Sequence, residues 1–128
     1  MQGDKFLLDT NIFVWWMQQN QYLHKKVQNI LSDTNNQIYL SVVSPWEMII
    51  KKKLGKLKLA KDWKMTLKQS GFLILPITLE HSYALETLPL YHKDPFDRML
   101  VAQAKTEKLK LITSDSKIWK YKVSILKA

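Results

Sequence analysis

The 128-residue chain has no cysteine, which excludes a disulfide framework and a thiolate metal site. Glycine and proline are scarce, at three and four residues, and there is no low-complexity tract, internal repeat or linker-like stretch. No window approaches the roughly 18 to 20 uninterrupted apolar residues that a membrane span needs. The segment Met1-Gln2-Gly3-Asp4-Lys5-Phe6-Leu7-Leu8-Asp9 is not expected to be a signal peptide, because its apolar run is short and ends in an acid. These absences lead to the expectation of a cytoplasmic protein without membrane contact. Arginine is nearly missing too. Of 20 basic residues only Arg98 is arginine, and with 11 acids the net charge is +9. That excess suits an anionic partner, nucleic acid or an acidic protein, and equally a lysine-rich solubilising surface.

What is present suffices for one core. The hydrophobic fraction is 46%, and residues 1–128 give room for a single domain. Short apolar runs alternate with longer helical patterns, which predicts βα units around a parallel sheet. Phe6-Leu7-Leu8 reads as a buried strand ending at Asp9, after which Thr10-Asn11 is expected to cap a helix carrying Ile12, Phe13, Trp15 and Trp16. A helix from about Leu23 to Leu31, a turn at Asp33–Asn36 and a strand over Ile38–Val43 follow. Ser44-Pro45-Trp46-Glu47 is expected to open the next helix, with serine as N-cap, proline first and glutamate third, and Gly55 to stop it. Trp63–Gln69 predicts a helix, Phe72–Leu75 a strand, and Glu80–Thr87 a short helix. Asp94-Pro95-Phe96-Asp97 begins the clearest helix, to about Glu107. Leu111–Thr113, a short helix at Ile118-Trp119 and a strand over Val123–Leu126 complete the domain.

Asp9 and Asp115 follow predicted strands, whereas Glu47 and Asp97 lie in the first turn of predicted helices. In a parallel α/β sheet, strand C-termini and the following helix N-termini face one crevice. Acids far apart in sequence can therefore meet there, where their mutual repulsion calls for a cation. An oxygen-only donor set, with no cysteine and no paired histidine, favours Mg2+ or Mn2+ over zinc. Each acid also has a plainer role. Glu47 completes a capping box with Ser44, Asp94 caps the helix at Pro95, Asp97 favours that helix dipole, and Asp115 caps a short helix. Asp9 has little structural use at the end of a buried strand. The shared edge is what favours the chemical reading.

At these residues the chain resembles the PIN-domain family, and more narrowly the VapC-like toxins of toxin–antitoxin pairs. The matching segments are Leu7-Leu8-Asp9-Thr10-Asn11, Ser41-Val42-Val43-Ser44-Pro45-Trp46-Glu47, His92 through Ala104 around Asp94-Pro95-Phe96-Asp97-Arg98, and Leu111-Ile112-Thr113-Ser114-Asp115. They fall in order across nearly the whole chain. The resemblance implies a three-layer α/β/α sandwich with a mainly parallel central sheet. It also implies a Mg2+- or Mn2+-dependent endoribonuclease in which Asp9, Glu47, Asp97 and Asp115 are catalytic and hold the metal. Asp9 and Asp97 would be the principal ligands, with Thr10 and Asn11 supporting them and Asp94 acting as cap or outer acid. The implied partners are an RNA substrate, an antitoxin protein and a second copy of the chain in a homodimer.

Other residues are less specific. Lysines of the Lys51 to Lys58 stretch are candidates for flanking phosphates or a solvated helix end. Arg98 suits an ion pair with a neighbouring carboxylate or a phosphate contact. His24, His81 and His92 show no metal spacing and read as surface or locally hydrogen-bonded. The tryptophans read as packing residues, and adjacent Trp15 and Trp16 are not expected to face one core. A phosphotransferase with Asp9 as nucleophile is disfavoured, since the position two residues on is Asn11. A non-catalytic RNA- or protein-binding module of the same fold is the other alternative, and clustered acids are of no use to a pure polyanion binder.

Overall fold

A computed structural model describes residues 3–128; the first two residues of the segment Met1–Asp9 lie outside the described part. The strands are β1 (Lys5–Leu8), β2 (Gln37–Ser41), β3 (Leu73–Leu75), β4 (Lys110–Thr113) and β5 (Ile125–Lys127). They form one sheet in the order β3-β2-β1-β4-β5, and every neighbouring pair runs parallel. The helices are α1 (Thr10–Met17), α2 (Lys25–Ser32), α3 (Val43–Lys53), α4 (Trp63–Gln69), α5 (Leu79–Ala84) and α6 (Pro95–Glu107). Short 3-10 turns lie at Leu85–Thr87 and Ile118–Lys120.

Alternation along β1 divides the core in two. Phe6 and Leu8 point to one face, where they join Ile12, Phe13, Val27, Leu31 and Trp63 from α1, α2 and α4. Leu7 points to the other, with Leu100, Val101, Ala104 and Ile118. Helix α3 serves both sides, since Val43 packs in the second cluster and Met48 in the first. Helices thus cover both faces of a parallel sheet, the three-layer architecture expected from the alternating pattern. Among the described residues no helix is long and apolar enough to cross a membrane.

Three local expectations change. Asp9, not Thr10-Asn11, stands at the N-cap of α1, and Thr10 is the first helical residue. The Ser44–Glu47 capping box does not form: α3 begins at Val43, which places Glu47 beyond the first turn. The helix is capped at Val42, whose carbonyl accepts the Trp46 amide, and the Ser41 hydroxyl accepts the Val43 amide at 3.0 Å, satisfying the first helical N–H. The last strand begins at Ile125 instead of Val123. Trp15 and Trp16 both rest half-buried against the first core cluster, Trp16 stacked near Phe13 and tilted on Phe72, and Trp15 tilted on Tyr22. Both thus reach one core cluster, contrary to the expectation that they would not face the same core, each only partly buried there.

The strand order reverses between β1 and β4: the chain moves outward through β2 and β3, then returns to the far side of β1. Open parallel sheets place their crevice at such a switch point, outside the strand C-termini.

Candidate functional site

Asp9 and Asp115 flank that switch point. The Asp9 amide donates to Ile112 O at 3.0 Å, extending the β1–β4 ladder, while Asp9 O accepts from Phe13 N and begins α1. One residue therefore ends a strand and starts a helix. Its side chain caps nothing and instead accepts the Thr113 hydroxyl at 2.7 Å. Thr113 Oγ1 in turn accepts the Asp115 amide at 3.0 Å, so one hydroxyl at the end of β4 ties both aspartates together. Asp115 Oδ1 accepts the Lys117 amide at 2.9 Å, and Ile118 and Trp119 donate to its carbonyl, so Asp115 closes the turn before the short 3-10 helix, whose N-cap is Lys117 and not the expected Asp115.

Asp97 enters from the first turn of α6. Asp94 caps that helix as expected, accepting from the Phe96 and Asp97 amides at 2.8 and 3.1 Å, with Pro95 at the first helical position. Glu47 comes from the second turn of α3 and is buried. Its Oε2 meets Lys51 Nζ at 2.6 Å, whereas Oε1 has no hydrogen-bond partner among the described residues. Thr10 supports the arrangement at one remove, its hydroxyl 2.9 Å from that of Ser44, which links the starts of α1 and α3. Asn11 is exposed. The expected role of Asn11 beside the acids has no counterpart in this geometry.

The electrostatics register the crowding. Burial, followed by the charges of Asp9, Asp94, Glu47 and Asp115, pushes the Asp97 carboxyl up to about 8. Asp9 rises to about 6, mainly through burial, with the Thr113 hydroxyl opposing the shift and Glu47 adding to it. Burial works against the Lys51 ammonium, but Glu47 and the more distant Asp94 and Asp97 outweigh it and hold Lys51 above its ordinary value. Asp97 thus feels the other three acids, and Asp9 feels Glu47 and Asp115. A buried carboxylate oxygen lacking a partner, beside carboxyls that resist ionising, is a donor set short of positive charge. The residues fit a hard divalent cation.

Sequence reasoning missed His92. Its Nε2 lies 2.9 Å from Asp97 Oδ2 and 2.9 Å from Asp115 Oδ2, and the ring is largely buried. These three residues offer donor atoms within 4.8 Å of one another, a spacing that could hold a metal. The signal in the sequence was the two-residue step to Asp94, which lets the ring accept the Asp94 amide at 3.1 Å. His81, by contrast, is fully buried away from the surface, bonded to Glu107 at 2.8 Å and to the Thr78 amide.

Arg98 forms no ion pair with a carboxylate among the described residues. Its guanidinium donates to the carbonyls of Pro89 at 2.9 Å and of His92 and Leu88 at 3.4 Å, and to Tyr121 Oη at 3.3 Å. Tyr121 Oη donates to Pro89 O at 2.7 Å and accepts the His92 amide. Five fixed donors suit a loop with several free carbonyls better than one carboxylate. Arg98→Met is therefore expected to loosen residues 88–92: amide exchange there should accelerate by at least about 10-fold, while amides of β1 and β4 keep their protection.

The family model described as PIN domain matches residues 6–123. A search of curated proteins found no match. Among solved structures, the chain is similar to one of VapBC2 from Rickettsia felis bound to a promoter DNA fragment, at 16% identity and a TM-score of 0.73, covering 96% of this chain and 98% of that one. VapBC-1 from nontypeable Haemophilus influenzae is similar at 16% identity and TM-score 0.71, covering 96% and 97%. FitAcB from Neisseria gonorrhoeae follows at 22% identity and TM-score 0.65, covering 94% and 96%. At these identities the likeness is one of fold.

Proposed function

The chain belongs to the PIN-domain family, and on that premise we propose that it is a divalent-metal-dependent endoribonuclease, the toxin of a toxin–antitoxin pair. The proposal is supported by Asp97, whose carboxyl is raised by burial and by the nearby charges of Asp9, Glu47 and Asp115, and by Glu47 Oε1, buried and lacking a partner among the described residues. These four residues would hold Mg2+ or Mn2+, Asp9 and Asp97 as principal ligands. When bound, such an ion supplies positive charge for the phosphoryl oxygens and acidity for an attacking water.

The chain's own residues do the rest. Thr113 fixes one oxygen of Asp9, so that carboxylate is oriented before anything binds. Asp94 holds the first turn of α6, and with it Asp97, in place. Lys51, half-exposed beside Glu47, is suited to a flanking phosphate once Glu47 is otherwise engaged. The net charge of +9 supports capture of a polyanion, an attraction that should weaken as salt rises.

The antitoxin and homodimer readings draw support from two sources. The similar solved structures include complexes described as toxin–antitoxin assemblies. The chain also exposes apolar side chains, Trp46, Ile49 and Ile50 on α3 and Leu73 and Ile74 on edge strand β3, which a partner would cover.

Mapping of cleavage ends in total RNA after brief expression tests the function. Wild-type protein is expected to create new ends that need Mg2+ or Mn2+ and vanish with a chelator, and Asp9→Asn to create none while folding normally. Growth inhibition by wild type and Asp9→Asn alike, with no new RNA ends from either, would instead point to a non-catalytic binding module.

A further inference from the structure

His92 looks like a metal ligand by distance, and its hydrogen bonds say otherwise. Nε2 sits 2.9 Å from an oxygen of each of Asp97 and Asp115, the position a nitrogen ligand would take in a mixed site. The opposite ring nitrogen decides the matter. Nδ1 accepts the backbone N–H of Asp94 at 3.1 Å, so Nδ1 carries no proton and the ring's proton is on Nε2. A neutral imidazole bound to a metal through Nε2 must carry its proton on Nδ1, which here would oppose the Asp94 N–H directly.

That amide is not free to turn away. Asp94 is pinned from both ends, its carboxylate capping α6 through Phe96 and Asp97 and its carbonyl accepting the Arg98 amide at 3.0 Å. The His92 backbone is fixed as well, its N–H bonded to Tyr121 Oη at 3.0 Å and its carbonyl to Arg98 at 3.4 Å. Releasing Nδ1 would therefore disturb the helix cap or the loop that Arg98 and Tyr121 hold.

We infer that His92 is a positioning residue: its Nε2–H bonds Asp115 and keeps that carboxylate beside Asp97, and its nitrogen stays out of the metal's coordination shell. A neutral donor is the right agent for this. It draws oxygens from α6 and from the loop after β4 together against their repulsion, without bringing a charge that would compete with the metal. The inference rests on the metal-dependent reading proposed above and adds a residue the four acids do not include.

Mn2+ alone is a sufficient probe. Pulsed electron paramagnetic resonance of the Mn2+-loaded protein is expected to show no nitrogen coupling of the strength that a directly coordinated imidazole produces. In parallel, His92→Phe, which keeps the ring's bulk and loses the donor, should weaken Mn2+ binding by roughly 10- to 100-fold when measured well below the variant's own melting temperature. His92→Gln, which keeps an N–H donor, should recover part of that loss. Strong nitrogen coupling in the wild type that disappears in either variant would overturn the inference and make His92 a ligand. Wild-type Mn2+ affinity in His92→Phe would also overturn it, since nothing would then have been positioned. Saturable Mn2+ binding that Asp9→Asn abolishes keeps the metal-dependent reading intact in both cases. No Mn2+ binding by the wild type would end that reading and this inference together.

Discussion

An Asp97→Asn variant is expected to melt later than the wild-type chain at pH 9 without metal, and to cut RNA more than about 100-fold more slowly with it. The two effects share one origin. The Asp97 carboxyl lies at about 8 in the folded protein against 3.8 for the free group, because burial and its acidic neighbours penalise the ionised form. A group whose folded value is raised contributes stability that is fully present below about pH 4 and is lost as pH rises through about 8. Asparagine has the same shape and never ionises, so the penalty disappears. The gain at pH 9 should be about 1–3 kcal/mol, discounted from the full shift because water reaches the crevice, and it should vanish toward pH 4.

Divalent metal reverses the ranking. The wild type gains RT ln(1 + [M]/Kd), about 2.7 kcal/mol at a hundred times Kd, and the variant gains little. Its cleavage loss should exceed the 10- to 100-fold typical of an outer hydrogen-bond partner, because the change removes the residue proposed as a principal ligand. Thermal melts at pH 4, 7 and 9, with and without Mn2+, check both signs alongside cleavage rates. A variant less stable than wild type at pH 9 without metal would show that Asp97 is not held against its charge.

The largest loss of stability is expected far from the acids. Phe13 is fully buried on α1, with ring centroids 6.1 Å from Trp16 and 6.3 Å from Phe72. Phe13→Ala should cost about 3–5 kcal/mol, since the aromatic neighbours collapse only partly into the space left. That is a large share of the roughly 5–15 kcal/mol that holds a domain of this size, and the melting temperature should fall by roughly 10–20 °C. The Phe13 amide also closes the first turn of α1 on the Asp9 carbonyl. Cleavage measured well below the new melting point should therefore fall much less than stability does. A loss of activity as large as that of Asp9→Asn at a temperature where Phe13→Ala is folded would mean that α1 packing sets the Asp9 geometry directly.

The sheet and its edge could be read from the chain because their causes are local. Runs such as Phe6-Leu7-Leu8 and Leu111-Ile112-Thr113 are strands buried on both faces, and Asp94-Pro95 is a helix start by itself. Strands of that kind alternating with helices leave few arrangements other than a parallel sheet, and a parallel sheet puts Asp9, Glu47, Asp97 and Asp115 on one edge. Where competing local bonds existed, reading residue by residue failed. Helix α3 starts at Val43, with Ser41 accepting its first amide and the Ser44 hydroxyl turned to Thr10, so Glu47 lies a turn further in and caps nothing.

The places of the four acids, after strands and near helix starts, were thus legible from sequence order and apolar runs, which act over a few residues. The company they keep was not. His92 between Asp97 and Asp115, Arg98 and Tyr121 on the loop behind it, and Thr113 shared by Asp9 and Asp115 join segments as many as 104 positions apart. Such contacts depend on strand order and on which donor is left over after each turn is satisfied. Neither leaves a periodic trace in the chain. The carboxylates are set by the sequence pattern, whereas their orientation and the protons around them arise only when the sheet closes.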